Sequence, residues 1–203
     1  MKEFWDDRYR QVEYAYGEEP NTYFKNEIGK FPPASLLCPA EGEGRNAIYA
    51  ALLGWRVVAF DISKEGKIKA DNLAKKHQTS IDYRVGNLSE LNFDNQLFDA
   101  IALIYAHFPG NLRNSYHHFF KNHLKKNGVI ILEAFSKKHL DYNSKNESIG
   151  GPKNIELLYS IDEIKNDFND FKIINLEETE MNLNEGIYHR GIGHVVRFTG
   201  IKS

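Results

Sequence analysis

Two glycines and one carboxylate are spaced in this sequence as a nucleotide-binding site requires. Residues 42–47 read GEGRNA and follow an apolar run at residues 35–39, so they match the pattern G-x-G-x-x-[GA]. Because glycine lacks a β-carbon, Gly42 and Gly44 allow a ligand to approach the backbone closely. Asp61 ends the next apolar run, 19 residues beyond Gly42, where its carboxylate can accept hydrogen bonds from two ribose hydroxyls. These residues predict a binding site for an adenosine-containing cofactor.

The same pattern serves the adenosine of NAD and the adenosine of S-adenosylmethionine. We expect the helix after the glycines to present free N–H groups, which suit a carboxylate or a phosphate. Arg45 at its start also suits a carboxylate. A closing hairpin stands where a dinucleotide fold has its second βαβαβ half, and residues 1–30 precede the first strand as a helical cap. These features favour S-adenosylmethionine, with S-adenosylhomocysteine as its product, and leave an NAD-binding oxidoreductase as an alternative.

Alternating apolar strands and amphipathic helices must position these residues. The strands are predicted at residues 35–39, 56–60, 81–85, 98–108, 128–135, 171–182 and 186–202, and the helices between them at 45–53, 63–77, 111–124 and 160–168. We therefore expect an α/β, Rossmann-like fold: a seven-stranded, mostly parallel sheet with an antiparallel C-terminal hairpin strand and helices on both faces. The ligand crevice is expected at the carboxyl ends of strands one and four.

Length and composition indicate a single domain over residues 1–203, with the helical cap at 1–30 and a polar surface loop at 137–155. Asn21 is predicted to cap a helix, and Ser160 with Glu163 to form a capping box. Cys38 is the single cysteine, so no disulfide can form within the chain.

The charge balance also bears on partners and location. A net charge of -2 offers no basic excess for nucleic acid, and no apolar run approaches the ~20 residues of a membrane span. We expect a cytoplasmic protein with a small-molecule substrate and neither a nucleic-acid nor a membrane partner. No metal site is expected, because His189 and His194 fall on opposite faces of a strand, and the adjacent His117 and His118 point about 100° apart on a helix.

Several segments together resemble a known family. The segments that carry the resemblance are FWDDRYRQVEYAYGEEPNTYF, LLCPAEGEGRNA, VVAFDIS, GNLSEL, FDAIALIYAHFP, LKKNGVIILEAF and EGIYHRGIGHVVRFTGIK. They resemble the class I S-adenosylmethionine-dependent methyltransferases, and among these the small-molecule branch that includes the tellurite-resistance methyltransferases. The resemblance covers nearly the whole chain. Its N-terminal and C-terminal parts are the most specific, because nucleotide binding alone does not explain them.

The resemblance implies an activity and a set of contacts. The activity is methyl transfer to a small acceptor such as a thiol, a chalcogen oxyanion or another small nucleophile. His107 is the candidate base or orienting group, and Tyr16, His189 and Arg190 are candidate substrate contacts. The implied cofactor contacts are Trp5, Tyr9, Pro39, Ala40, Gly42, Gly44, Asn46, Asp61, Ile62, Asn87, Leu88, Tyr105 and Ala106.

Three positions depart from the family pattern. Cys38 stands where the family usually has an acid, Ala40 where it has the first glycine, and Asn87 where it commonly has an aspartate. A homologue that binds the cofactor without catalysing a reaction is therefore a further alternative. Residues 106–109 read AHFP rather than the [NDS]-P-P-[YFW] element of many enzymes that methylate nucleic-acid amines, which argues against a nucleic-acid substrate.

Overall fold

The computed structural model describes residues 1–203, apart from the side chain of Glu147. Its strands are β1 Ser35–Pro39, β2 Arg56–Asp61, β3 Asp82–Val85, β4 Phe98–Ile104, β5 Leu124–Phe135, β6 Phe171–Glu185 and β7 His189–Lys202. Its α-helices are α1 Lys2–Tyr9, α2 Thr22–Ile28, α3 Arg45–Leu52, α4 Lys64–Lys76, α5 Gly110–Asn122, α6 Leu140–Asn143 and α7 Ile161–Asp167.

The strands form one seven-stranded sheet in the order β3-β2-β1-β4-β5-β7-β6. Strands β1 to β5 run parallel, whereas β7 is antiparallel to both β5 and β6. The strand order reverses between β1 and β4, which is where a ligand crevice opens in sheets of this kind. The predicted mostly parallel sheet with a C-terminal hairpin is confirmed.

The central strands are mostly apolar because both of their faces are covered. Successive side chains of a strand point to opposite faces, and Leu36 and Leu37 accordingly belong to two separate core clusters. Ala100 joins the cluster of Leu36, and Ile101 joins that of Leu37. Helices α2, α3 and α4 cover one face, and α5 and α7 cover the other.

Two predicted helix starts are present. The side chain of Asn21 accepts a hydrogen bond from the N–H of Phe24 at 2.9 Å and caps α2. The Ser160 hydroxyl caps α7, and the Glu163 carboxylate accepts from the N–H of Ser160 at 2.9 Å, which completes the capping box.

Residues 1–30 are less helical than predicted. Helices α1 and α2 are short, and residues 10–21 form turns and extended backbone between them. The carboxylate of Glu43 accepts hydrogen bonds from the N–H groups of Ala15 at 3.1 Å and Tyr16 at 3.4 Å. A helix would need these donors for its own hydrogen bonds, so the buried carboxylate favours the irregular path.

The 137–155 loop is more ordered than a purely polar surface loop. It contains α6 and short 3₁₀ turns, and it buries His139, Asn143 and Ile149. Gly151 packs so closely that a β-carbon on it would lie 2.7 Å from Nε2 of His139. The loop therefore covers the region where β5 ends. Among the described residues, no helix combines the length and apolarity that a membrane span needs.

The glycine loop depends on close contact between α3 and α4. Gly44 caps α3 with a φ of +90°, and a β-carbon added there would lie 2.6 Å from Cβ of Ala70. Gly54 also has a positive φ, +93°, but a β-carbon there would meet Pro33 at an ordinary 3.7 Å.

We predict that Gly44→Ala lowers the free energy of unfolding by about 2–4 kcal/mol, because backbone strain and overpacking add. Gly54→Ala should cost only the strain, about 1 kcal/mol. Urea unfolding of both variants measures the difference. Equal losses would show that the contact with Ala70 does not constrain the loop.

Candidate functional site

The segments predicted to bind the cofactor meet at one edge of the sheet. Pro39 of β1 lies beside Phe60 of β2, and Asp61 lies beside Val85 of β3. The carboxyl ends of these parallel strands place residues 40–44, 61–63 and 86–88 side by side, and β4 ends nearby at Ile104. The crevice is therefore built as the strand order requires.

Asp61 holds the glycine loop. Its Oδ2 accepts a hydrogen bond from the N–H of Gly42 at 3.0 Å, and its Oδ1 accepts from the N–H of Ser63 at 2.9 Å. Burial raises the pKa of Asp61 to about 6, against the effect of these donors. A carboxylate has about four acceptor positions, so Asp61 can still accept from ribose hydroxyls.

The glycine loop keeps its turn although Ala40 stands where the family pattern has its first glycine. Ala40 has a φ of +51°, in the left-handed region that glycine usually occupies, and Gly42 follows at +62°. The hydroxyl of Tyr83 donates to the carbonyl oxygen of Gly42 at 2.5 Å and fixes it from below. Alanine thus costs about 1–2 kcal/mol of backbone strain without changing the path of the loop.

The N-terminus of α3 does not present the free N–H groups that we predicted. Oε1 of Glu41 accepts from the N–H groups of Asn46 at 2.9 Å and Ala47 at 2.8 Å. The prediction was wrong because it overlooked this acid, whose position just before a helix was the available signal. A pyrophosphate at this helix end would face a carboxylate, which disfavours NAD and favours a cationic cofactor.

The side chain of Arg45 is also hydrogen-bonded within the protein. Its guanidinium donates to Oε2 of Glu185 at 3.0 Å and to the carbonyl oxygen of Tyr16 at 2.9 Å. The interpretation that Arg45 binds a ligand carboxylate is therefore replaced by a structural role, which joins α3 to the cap and to the hairpin.

The cap lies directly on the glycine loop. Tyr9 is buried, and a β-carbon on Gly42 would lie 2.6 Å from its hydroxyl oxygen. Trp5 stacks on Tyr9 with ring centroids 5.4 Å apart. Asn46 contributes to the same attachment, because its Oδ1 accepts from the N–H of Asn21 at 2.9 Å.

The predicted adenine segment follows β3. Leu88 is buried and Ile62 is half-buried, so both can offer apolar surface to a base. Asn87 is occupied locally, because its side-chain amide donates to Oε1 of Glu90 at 3.1 Å in a capping box. In this arrangement the apolar residues, rather than the Asn87 side chain, are available to adenine.

Aromatic rings surround the end of β4. Tyr105 has a φ of +51°, and its ring lies 4.8 Å from that of Phe135 and 4.7 Å from that of His189. The ring of Tyr16 in turn lies 4.4 Å from that of His189. We call Tyr16, Tyr105, Phe135 and His189 the aromatic wall. Ala106 is buried next to Tyr105 in the chain, and its carbonyl oxygen accepts a hydrogen bond from the hydroxyl of Tyr159.

His107 has no ring nitrogen free. Its Nδ1 contacts the carbonyl oxygen of Leu157 at 2.8 Å, and its Nε2 accepts from the N–H of Phe135 at 3.4 Å. Burial lowers the pKa of His107 to about 3. A neutral imidazole held at both nitrogens orients the backbone around it, and this geometry does not favour a role as base.

His189 is held at one nitrogen only. Its Nδ1 lies 3.1 Å from Oε2 of Glu185, and its Nε2 has no partner among the described residues. Burial acts to raise the pKa of Glu185, but Arg45 and His189 hold it at about 2. Arg190 is exposed and donates to the carbonyl oxygen of Gly186 at 2.7 Å, so the structure does not bring it to the wall. In the described part of the chain, no three metal-ligating side chains come together.

We predict that Asp61→Asn weakens binding of S-adenosylhomocysteine by about 2 kcal/mol, roughly 30-fold, because a charged acceptor is lost. Isothermal titration measures the change. Asp82→Asn, at the exposed start of the neighbouring strand, is the control and should bind as the parent protein does. Equal affinity of the Asp61 variant and the parent would contradict the ribose assignment.

Comparison with known proteins bears on the fold and on the cofactor. Residues 37–128 match the family model described as a methyltransferase domain. No curated protein matches the chain at a significant level. TehB from Haemophilus influenzae has a TM-score of 0.73 at 16% identity, covering 100% of this chain and 67% of that one. Magnesium protoporphyrin IX methyltransferase from Synechocystis PCC 6803, solved with bound S-adenosylhomocysteine, has a TM-score of 0.69 at 16% identity, covering 100% and 97%.

A third solved structure comes from work on the conversion of a disulfide bond into a thioacetal group in echinomycin biosynthesis. It has a TM-score of 0.79 at 17% identity and covers 100% of this chain and 92% of that one. At these identities the structures show the fold. The family model matches residues 37–128, and together with the fold it supports the conclusion that the protein is an enzyme that uses S-adenosylmethionine.

Proposed function

We propose that this enzyme methylates a small acceptor that carries an O–H, N–H or S–H group, with His189 as the base. The observation that supports the proposal is the pair formed by Glu185 and His189 beside Tyr105. Glu185 holds Nδ1 of His189, and Nε2 is left without a partner among the described residues. A carboxylate that orients an imidazole in this way stabilises the ring when it accepts a proton.

S-adenosylmethionine, when bound, supplies a methyl group on a positively charged sulfur, ready for in-line displacement. Asp61 would hold its ribose, Ile62 and Leu88 its adenine, and the loop after β4 its methionine end. Burial lowers the pKa of His189, while Glu185 opposes that effect, so the imidazole is neutral at pH 7 and able to accept a proton. Nε2 would then remove the proton of the acceptor as the new bond to carbon forms.

A small acceptor is favoured because the wall is covered. Gly150 of the 137–155 loop lies so close to the hairpin that a β-carbon on it would be 2.3 Å from the carbonyl oxygen of Tyr188 and 3.0 Å from the His189 ring. The 137–155 loop therefore lies over the hairpin side of the wall, which favours a small acceptor over an extended one. The net charge of -2 also disfavours nucleic acid as a substrate, since it offers no basic excess. The proposal further includes the absence of a membrane partner and a cytoplasmic location.

The resemblance to the small-molecule branch with the tellurite-resistance methyltransferases is part of this proposal. Among the acceptors considered we favour a thiol, because its S–H gives His189 a proton to remove and its sulfur is a soft nucleophile for the methyl group. A chalcogen oxyanion needs no base, so its methylation would not depend on His189.

The proposal is tested by incubating the enzyme with S-adenosylmethionine and a panel of thiols, phenols, small amines, carboxylates, selenite and tellurite. The measured quantity is the S-adenosylhomocysteine formed. We expect turnover with at least one protic acceptor. Binding of S-adenosylhomocysteine without turnover on the panel would favour the non-catalytic alternative.

We predict that His189→Asn lowers kcat for the protic acceptor about 100-fold or more, because the asparagine amide can still donate to Glu185 but offers no base. The affinity for S-adenosylhomocysteine should not change. His118→Asn, at an exposed position on α5, is the control. A kcat equal to that of the parent enzyme would remove His189 from the proton transfer.

A further inference from the structure

The cofactor crevice lacks the acid that the family pattern places at the end of β1. Cys38 stands there, fully buried, and burial raises the pKa of its thiol well above the ordinary value. A neutral thiol cannot attract a cation. The next carboxylate along the chain is Glu41, three residues further, inside the glycine loop.

Of the two carboxylate oxygens of Glu41, one accepts hydrogen bonds from the protein and the other accepts none from the described residues. Oε1 accepts the N–H groups of Asn46 and Ala47. Oε2 accepts no hydrogen bond from the described residues, and it is not among their fully buried unpaired atoms, so it keeps accessible surface. The backbone N–H of Glu41 donates to the carbonyl oxygen of Phe60 at 3.1 Å, which fixes the residue between β1 and β2.

We propose that Glu41 takes the place of the missing acid and binds the ammonium group at the methionine end of the cofactor through Oε2. This inference rests on the proposed function. The same carboxylate repels the pyrophosphate of a dinucleotide, so Glu41 also selects between the two classes of adenosine cofactor.

The charges around Glu41 couple this contact to pH. Arg45 faces it from α3, Asp61 from the end of β2, Tyr83 from β3 and Cys38 from β1. Burial raises the pKa of Glu41 to about 7, although the N–H of Ala47 and the charge of Arg45 oppose the rise. A raised pKa means that the acid is protonated below pH 7 and charged above it. A bound cation favours the charged form, so affinity should rise as the pH rises through 7.

The experiment is isothermal titration of the parent protein and Glu41→Gln with two probes. S-adenosylhomocysteine carries the ammonium group, and 5′-methylthioadenosine lacks it. Glutamine keeps an oxygen for the N–H groups of α3 but has no charge. We expect the variant to bind S-adenosylhomocysteine about 10- to 100-fold more weakly and 5′-methylthioadenosine equally well. Glu3→Gln, at an exposed position of α1, is the matched control.

A second measurement on the parent protein alone does not depend on how the variant folds. Titrations at pH 7 in buffers of different ionisation enthalpy should show release of about half a proton with S-adenosylhomocysteine and less with 5′-methylthioadenosine. Asp61, whose pKa is about 6, faces the same crevice. A proton released by Asp61 would appear near pH 6, and it would appear with both probes.

The outcomes separate this inference from the proposed function. If the parent protein binds S-adenosylhomocysteine and the variant loses no affinity, Glu41 does not bind the ammonium group and the inference is overturned. An equal loss for both probes also overturns it, since Glu41 would then act only through the loop. If the parent protein binds neither probe, the proposed function fails, and the inference fails with it.

Discussion

The site depends on the contacts of the Glu185 carboxylate, whose side chain is 11% exposed. It accepts hydrogen bonds from Arg45 of α3, from Asn21 of the cap and from His189 of the hairpin. Removing one partner of a buried ion pair typically costs about 3–5 kcal/mol, because the other charge is left without compensation. The glycine loop, the cap and the proposed base are therefore fixed to one another through a single side chain.

Other buried acids extend the same principle. Glu133 of β5 accepts from Arg197 at 2.6 Å and from Asn21 at 2.6 Å, and Glu43 accepts from Lys69 at 3.0 Å. Asn21, together with the N–H groups of Ala15 and Tyr16 that Glu43 accepts, attaches the N-terminal cap to these acids. The first helix of the cap has few apolar residues to bury. Because polar contacts have stricter geometry than apolar ones, this attachment fixes the position of the cap over the crevice.

The sequence was sufficient for features that depend on local pattern. Alternating apolar runs predicted the sheet, and short-range rules predicted the caps at Asn21 and Ser160. Asp61 could be placed at the crevice because a residue that ends a parallel strand has a defined position. Contacts between residues far apart in the chain could not be predicted, and His107, held by a carbonyl oxygen 50 residues away, is an example. The contact of Glu41 with the first N–H groups of α3 was missed although its position just before the helix was a local signal.

Arg45 illustrates the same limit. Its place at the start of a helix predicted a ligand contact, but Glu185, 140 residues further along the chain, binds it instead. The closing hairpin brings Glu185 to Arg45, and no periodicity in the sequence predicts this contact. We propose His189 rather than His107 as the base for a related reason: both ring nitrogens of His107 have partners, one of them 50 residues away, whereas only Nδ1 of His189 has one.

The central claim is that the crevice takes an adenosyl cofactor with a cationic end and rejects a dinucleotide. Paired isothermal titrations of the unmodified protein with S-adenosylhomocysteine and with NAD test it most directly. The structure predicts micromolar binding of S-adenosylhomocysteine and no measurable binding of NAD. Binding of NAD without S-adenosylhomocysteine would contradict the account, because a pyrophosphate would then lie where the Glu41 carboxylate closes the end of α3.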